Sequence, residues 1–156
     1  MKTVLTIERK GKMKKAVSLL AAIMLLCVFS SCGEPDDSIN ITENMYVTYI
    51  NEIYTNTDDY VGKNITIEGM FTSEYYKPTD TTYYYVYRQG PGCCGNDGSM
   101  CGFEFTWDGV GSLSDNDWIK VTGELHTYEE NGATYLTLSA SDVSVLDERG
   151  AEIVYR

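Results

Sequence analysis

From residue 60 onward the apolar residues of this chain recur at every second position. Ile65 and Ile67 do so, as do Phe103 and Phe105, and Ile119, Val121 and Leu125. A period of two lines one face of a pleated strand, whereas a helix scatters such a set around its axis. Tyr83-Tyr84-Tyr85-Val86-Tyr87 is β-prone at every position. Asn131-Gly132 is a strong two-residue hairpin signal, and Thr134 to Ser139 returns after it. Val143, Val145, Ile153 and Val154 close the chain. Gly69 and Gly123 lie inside strand patterns, where a small closed sheet needs bulges or coiling. These features predict a mostly β fold: a small antiparallel five-stranded barrel of the oligonucleotide/oligosaccharide-binding (OB) type. Parity places Ile119, Val121 and Gly123 inward, with Trp118 covering a rim.

One helix precedes the strands. Met45, Tyr46, Tyr49, Ile50 and Ile53 recur at spacings of three and four, which predicts a short amphipathic helix over Thr42–Tyr54. Asn40 or Thr42 is the expected cap, Glu43 lies in the first turn, and the helix plugs one end of the barrel. Residues 42–156 thus form one helix-plus-barrel domain. The 13 tyrosines read mainly as strand residues on a half-wet sheet, with a platform for sugars or peptides as the sharper alternative.

Charge divides the chain. The formal net charge is −11, but residues 32–156 alone carry six basic and 22 acidic residues, a net of −16. Nucleic-acid binding depends on lysine and arginine displacing phosphate counterions, so no nucleic-acid partner is expected. The basic residues sit instead in residues 1–31, where Lys10, Lys12, Lys14 and Lys15 precede an apolar run from Ala16 to Phe29. The run falls short of the about 20 residues that span a hydrocarbon core. A basic segment, a short apolar run and small residues after it describe a secretory signal. Met13 is an alternative start, and residues 32–41 read as a flexible tether.

Val28-Phe29-Ser30-Ser31-Cys32-Gly33 resembles the lipobox of bacterial lipoproteins. The resemblance implies cleavage before Cys32, acylation of its thiol, and a lipid anchor on the extracytoplasmic face of a membrane. Two or three acyl chains, at about 0.8 kcal/mol per buried methylene, anchor stably where one is marginal.

A second resemblance runs through residues 43–146. Tyr60-Val61-Gly62-Lys63-Asn64-Ile65-Thr66-Ile67-Glu68-Gly69, then Tyr85-Val86-Tyr87-Arg88, Cys93-Cys94-Gly95-Asn96-Asp97 and Trp118-Ile119-Lys120-Val121-Thr122-Gly123 follow in order. This succession resembles the C-terminal barrel-like domain of an uncharacterised bacterial family of accessory subunits of two-subunit permeases. It implies the barrel and an envelope or permease-type partner. Two departures stand out: a lipid anchor replaces the transmembrane segments usual in that family, and Cys101 is an added thiol.

Once Cys27 leaves with the signal and Cys32 is acylated, three thiols remain. Cys93, Cys94 and Cys101 share a glycine-dense loop with Asp97, and three is an odd number for disulfides. Thiolates with one oxygen or nitrogen ligand suit zinc, so Cys93, Cys94, Asp97 and Cys101 are the candidate metal ligands. A Cys93–Cys101 or Cys94–Cys101 disulfide and a redox pair stay open as alternatives. His126 reads as a solvated edge residue, and Asp115-Asn116-Asp117 as a solvated turn. No Ser/His/Asp set or phosphate-binding glycine loop is present, so no enzymatic activity is expected. The expected function is a surface-tethered binding module, with a thiol–disulfide redox protein as the alternative.

Overall fold

The computed structural model describes residues 38–91 and 98–155. The signal region, Cys32, Cys93, Cys94 and Asp97 lie outside the described residues. The elements are β1 (Ile39–Asn40), α1 (Tyr46–Thr55), β2 (Asn64–Tyr76), β3 (Thr81–Gly90), β4 (Ser99–Thr106), β5 (Trp118–Glu130) and β6 (Ala133–Val145), with short 3-10 turns at Glu43–Met45, Thr57–Asp59 and Val110–Ser112. The sheet runs β1-β2-β3-β4-β6-β5 and closes by pairing β5 with β2. β4–β6 is parallel, and the other barrel pairings are antiparallel. A closed five-stranded barrel in this order is the OB topology.

The period-two residues fill it. Ile65 and Ile67, Val86, Phe103 and Phe105, Ile119, Val121 and Leu125, and Leu138 are all buried in one core. Burying each such side chain contributes about 1.5–3 kcal/mol. Gly123 sits at a register shift against β6, where a Cβ would lie 2.6 Å from the Ser139 carbonyl oxygen. At Gly69 a Cβ would lie 2.5 Å from the Tyr87 carbonyl oxygen. Both in-strand glycines therefore permit the close backbone approach of a tightly coiled barrel. Asn131 and Gly132 have φ of 51° and 81°, which gives the β5–β6 hairpin a two-residue type I′ turn.

α1 lays Tyr46, Ile50 and Ile53 against the barrel core. The Tyr54 ring stacks on Phe103 at 5.6 Å, and the Tyr46 hydroxyl donates to the Cys101 carbonyl at 3.2 Å. The helix begins later than its periodicity suggests. Residues 43–45 are a 3-10 turn, Thr42 makes no side-chain capping bond, and Met45 is exposed. The Glu43 carboxylate is used elsewhere, as described below. The tether is also shorter than expected: Ile39 and Asn40 pair in parallel with β2, and Ile41 is buried.

Trp118 corrects the rim expectation. Parity does place it opposite Ile119 and Val121, yet it is 2% exposed. Arg88 and Arg149 lie over its ring at 4.8 and 5.4 Å. The segment after β6 supplies the cover. It folds back along β3, with Gln89 donating to the Glu152 carbonyl at 2.8 Å and Val154 to the Gln89 carbonyl at 2.9 Å.

Arg88 holds this second layer together. Its guanidinium, 2% exposed, lies between the rings of Tyr46 and Trp118, 4.7 and 4.8 Å from their centroids. Nε donates to the Glu68 carbonyl at 2.9 Å, and one terminal nitrogen donates to both Glu43 Oε2 and the Ala151 carbonyl at 3.1 Å. Glu43 Oε2 also accepts from the Ala151 N–H at 2.9 Å.

That N–H, and then Arg88, hold the Glu43 carboxyl below its ordinary value of 4.5. A depressed carboxylate contributes stability that is complete above the unfolded value and is lost as pH falls through the folded one. Melting temperature should therefore decline as pH drops below about 4.5. Glu43→Gln should lower it at neutral pH and flatten that decline; an unchanged acid slope in this variant would contradict the assignment.

Candidate binding site

The strand register leaves two arms standing beyond the barrel. β2 pairs with β5 only from Asn64 to Met70 and β3 with β4 only from Tyr85 onward, so the β2–β3 hairpin from the Ser73–Tyr84 pair to its turn pairs only with itself. β6 pairs with β4 only from Thr137 to Ser139, so the Thr127–Glu130 and Ala133–Leu136 segments form a second arm. Between the arms lies the outward face of β3 and β4, the surface OB barrels use for ligands.

Side chains on this surface share the parity opposite to the core. Glu74 and Tyr76 come from β2, Tyr83 and Tyr85 from β3, Glu104 from β4, Tyr128 and Glu130 from β5, and Tyr135 from β6. Together they line a cavity of about 270 Å³ with five tyrosines, three glutamates and no other residue type. Glu104 and Tyr85 also border a neighbouring space of about 500 Å³ that reaches Tyr54 and Asp58. Glu104 borders another of about 570 Å³ that reaches Trp107 and Asp108.

The polar atoms are organised. The Tyr83 hydroxyl donates to Glu130 Oε1 at 2.6 Å and so fastens one arm to the other. The Tyr128 hydroxyl donates to Glu104 Oε2 at 2.7 Å. The Tyr128 and Tyr135 rings stack at 5.5 Å. Loss of water around Glu104 raises its carboxyl above the ordinary range, partly offset by hydrogen bonding from Tyr128. Burial and the Glu104 carboxylate raise the Tyr128 phenol, and the hydrogen bond to Glu130 is the largest influence raising that of Tyr83. The site thus presents electron-rich rings and carboxylates in a partly desolvated cleft, with the Tyr83, Tyr85 and Tyr128 phenols held protonated.

The other sequence-derived residues lie apart from this cleft. Cys101, the one cysteine among the described residues, is half-buried on β4 opposite Arg88. Burial raises its thiol above the ordinary value of 9.0. No metal-ligating cluster occurs among the described residues. His126 is a half-exposed residue on β5, 3.5 Å from Glu124 Oε1. Asp117 caps its own turn by accepting from the Ser114 N–H at 2.8 Å, and Asp115 accepts from the Ser73 N–H at 3.3 Å.

The tyrosines are strand residues on a half-exposed sheet, as expected, but the sequence alone does not set them beside the glutamates. The cleft's signal was three i, i+2 pairs, Glu74/Tyr76, Tyr83/Tyr85 and Tyr128/Glu130, each on the strand face turned away from the core. Only the register, which sets Tyr85 opposite Glu104 and Glu104 opposite Thr137, brings them together.

Solved structures of similar fold include OBody NL8 bound to hen egg-white lysozyme, at 14% identity and a TM-score of 0.36 over 57% of this chain and 100% of that one. A small single-stranded DNA-binding protein from Streptomyces coelicolor matches at 17% identity and a TM-score of 0.35 over 57% of this chain and 98% of its own. The mitochondrial single-stranded DNA-binding protein Rim1 of S. cerevisiae matches at 17% and 0.35, over 55% and 95%. These likenesses carry no information about ligand. No curated protein matches the chain. A family model described as the DUF1980 C-terminal domain matches residues 30–156.

Proposed function

The chain belongs to the DUF1980 C-terminal domain family, and we propose that this member is a lipid-anchored, extracytoplasmic binding module that takes its ligand in the tyrosine–glutamate cleft. The observation that carries the reading is the cavity lined by five tyrosines and three glutamates drawn from every barrel strand. Aromatic rings give contact area at low entropic cost, and convergent polar groups in a concave site give specificity. The module works without catalysis, beside a permease-type envelope partner.

Binding is tested on the detergent-solubilised full chain. Neutral disaccharides, ammonium compounds and short peptides are added while tyrosine fluorescence is followed. One class is expected to change the signal, and Tyr85→Ala to abolish that change. A panel without effect contradicts the reading.

Anchoring is tested separately. Ser30 and Ser31 end the short apolar run before Cys32. Cys32→Ser is expected to abolish both processing and lipid labelling, and normal maturation of this variant would rule the anchor out. In the same molecule, zinc is the proposed occupant of the cysteine loop, held by Cys93, Cys94, Asp97 and Cys101. Elemental analysis showing no stoichiometric metal, together with thiols that react equally with and without chelator, would remove that assignment.

A further inference from the structure

We infer that the cleft selects an organic cation, a primary or quaternary ammonium group seated among the tyrosine rings and the Glu104 and Glu130 carboxylates. This rests on the cleft being the binding surface and goes on to name the ligand's chemistry.

What lines the cleft decides between ligand classes. The central cavity holds only tyrosine and glutamate, and the two spaces bordering it add no lysine, arginine, histidine, asparagine or glutamine. An anion finds no countercharge there, and the net charge of −16 over residues 32–156 repels it at longer range. A neutral sugar needs donors as well as acceptors. Two of the five phenol donors, those of Tyr83 and Tyr128, are already directed to Glu130 and Glu104, which leaves hydroxyls but no amide or cationic donor for a sugar. An ammonium group needs acceptors and π faces alone, and the cleft offers both. Cation–π attraction adds to binding with each well-placed ring, more as water is excluded. A cavity of about 270 Å³ admits a trimethylammonium or aminoalkyl head. Two carboxylates held in one partly desolvated space repel one another until a cation enters between them.

The test uses the detergent-solubilised full chain and calorimetric titration with choline and with spermidine. The uncharged carbon isostere of choline, 3,3-dimethyl-1-butanol, and the neutral disaccharide cellobiose are the controls. At least one cation is expected to bind, with the neutral isostere about tenfold weaker or worse, a factor that one lost charge–π contact accounts for. Glu104→Gln keeps an acceptor for the Tyr128 hydroxyl, so it should fold normally, yet it should weaken cation binding by about tenfold. Equal binding of choline and its isostere would overturn the inference. So would cellobiose binding that is sensitive to Tyr85→Ala with no cation binding, an outcome that leaves the cleft as the binding surface. No binding of any of these compounds, alongside a silent ligand panel, would overturn both.

Discussion

Arg88→Met is expected to lower folding stability by about 3–4 kcal/mol, measured by urea unfolding, a large share of what a domain of this size holds. Methionine matches the stem of arginine but supplies no donors. The Glu68 and Ala151 carbonyls lose their charged partner, and Glu43 loses its counterion. Hydrogen bonds to charged groups contribute about 1.5–3 kcal/mol each, though not additively. The space between the Tyr46 and Trp118 rings also loses its planar filling. Arg88→Lys should recover only part of the loss, since an ammonium neither stacks flat between two rings nor reaches three acceptors in different directions. Loss of less than about 1 kcal/mol in the methionine variant would mean that the C-terminal segment is held by its backbone bonds alone.

The second large effect is expected at Gly102. A Cβ there would lie 2.0 Å from the Val86 carbonyl oxygen and 2.7 Å from the Tyr87 Cα, both backbone atoms of the paired strand. No rotamer relieves such an overlap, so β3 and β4 must separate. Gly102→Ala is expected to cost about 3 kcal/mol or more by thermal or urea unfolding. The site would suffer with the fold. The Gly102 carbonyl accepts from the Tyr54 hydroxyl at 3.2 Å, and β3 and β4 carry Tyr85 and Glu104. An alanine variant as stable as the wild type would mean that these strands are not as closely coiled as described.

Much of this architecture is legible in the residues. Ile65/Ile67, Phe103/Phe105 and Ile119/Val121 announce strand faces because burial on one side of a sheet enforces a period of two. Asn131-Gly132 announces its turn because both positions need positive φ. Gly123 announces a bulge through its place within an otherwise regular pattern. The failures share a different cause. Parity tells which face Trp118 occupies but not that the segment after β6 returns to cover it. Gly102 lacks any local mark, because the carbonyl that excludes a side chain there belongs to another strand. Arg88 is a member of a recognisable motif, yet its role depends on Glu43 and Ala151, far off in sequence on either side. The cleft escaped for the same reason: each tyrosine is an ordinary strand residue until the register sets it beside a carboxylate. The lipid anchor and cysteine loop fall on residues outside the described fold, so Cys32, Cys93, Cys94 and Asp97 rest on their sequence pattern.

The most direct measurement of the central claim is the aromatic carbon–proton NMR spectrum of the tyrosine rings during addition of choline. The account predicts that Tyr76, Tyr83, Tyr85, Tyr128 and Tyr135 shift together along one binding isotherm, while the core ring of Tyr46 stays in place. Shifts confined to rings outside the cleft, or no ring shifts while choline binds, would contradict it.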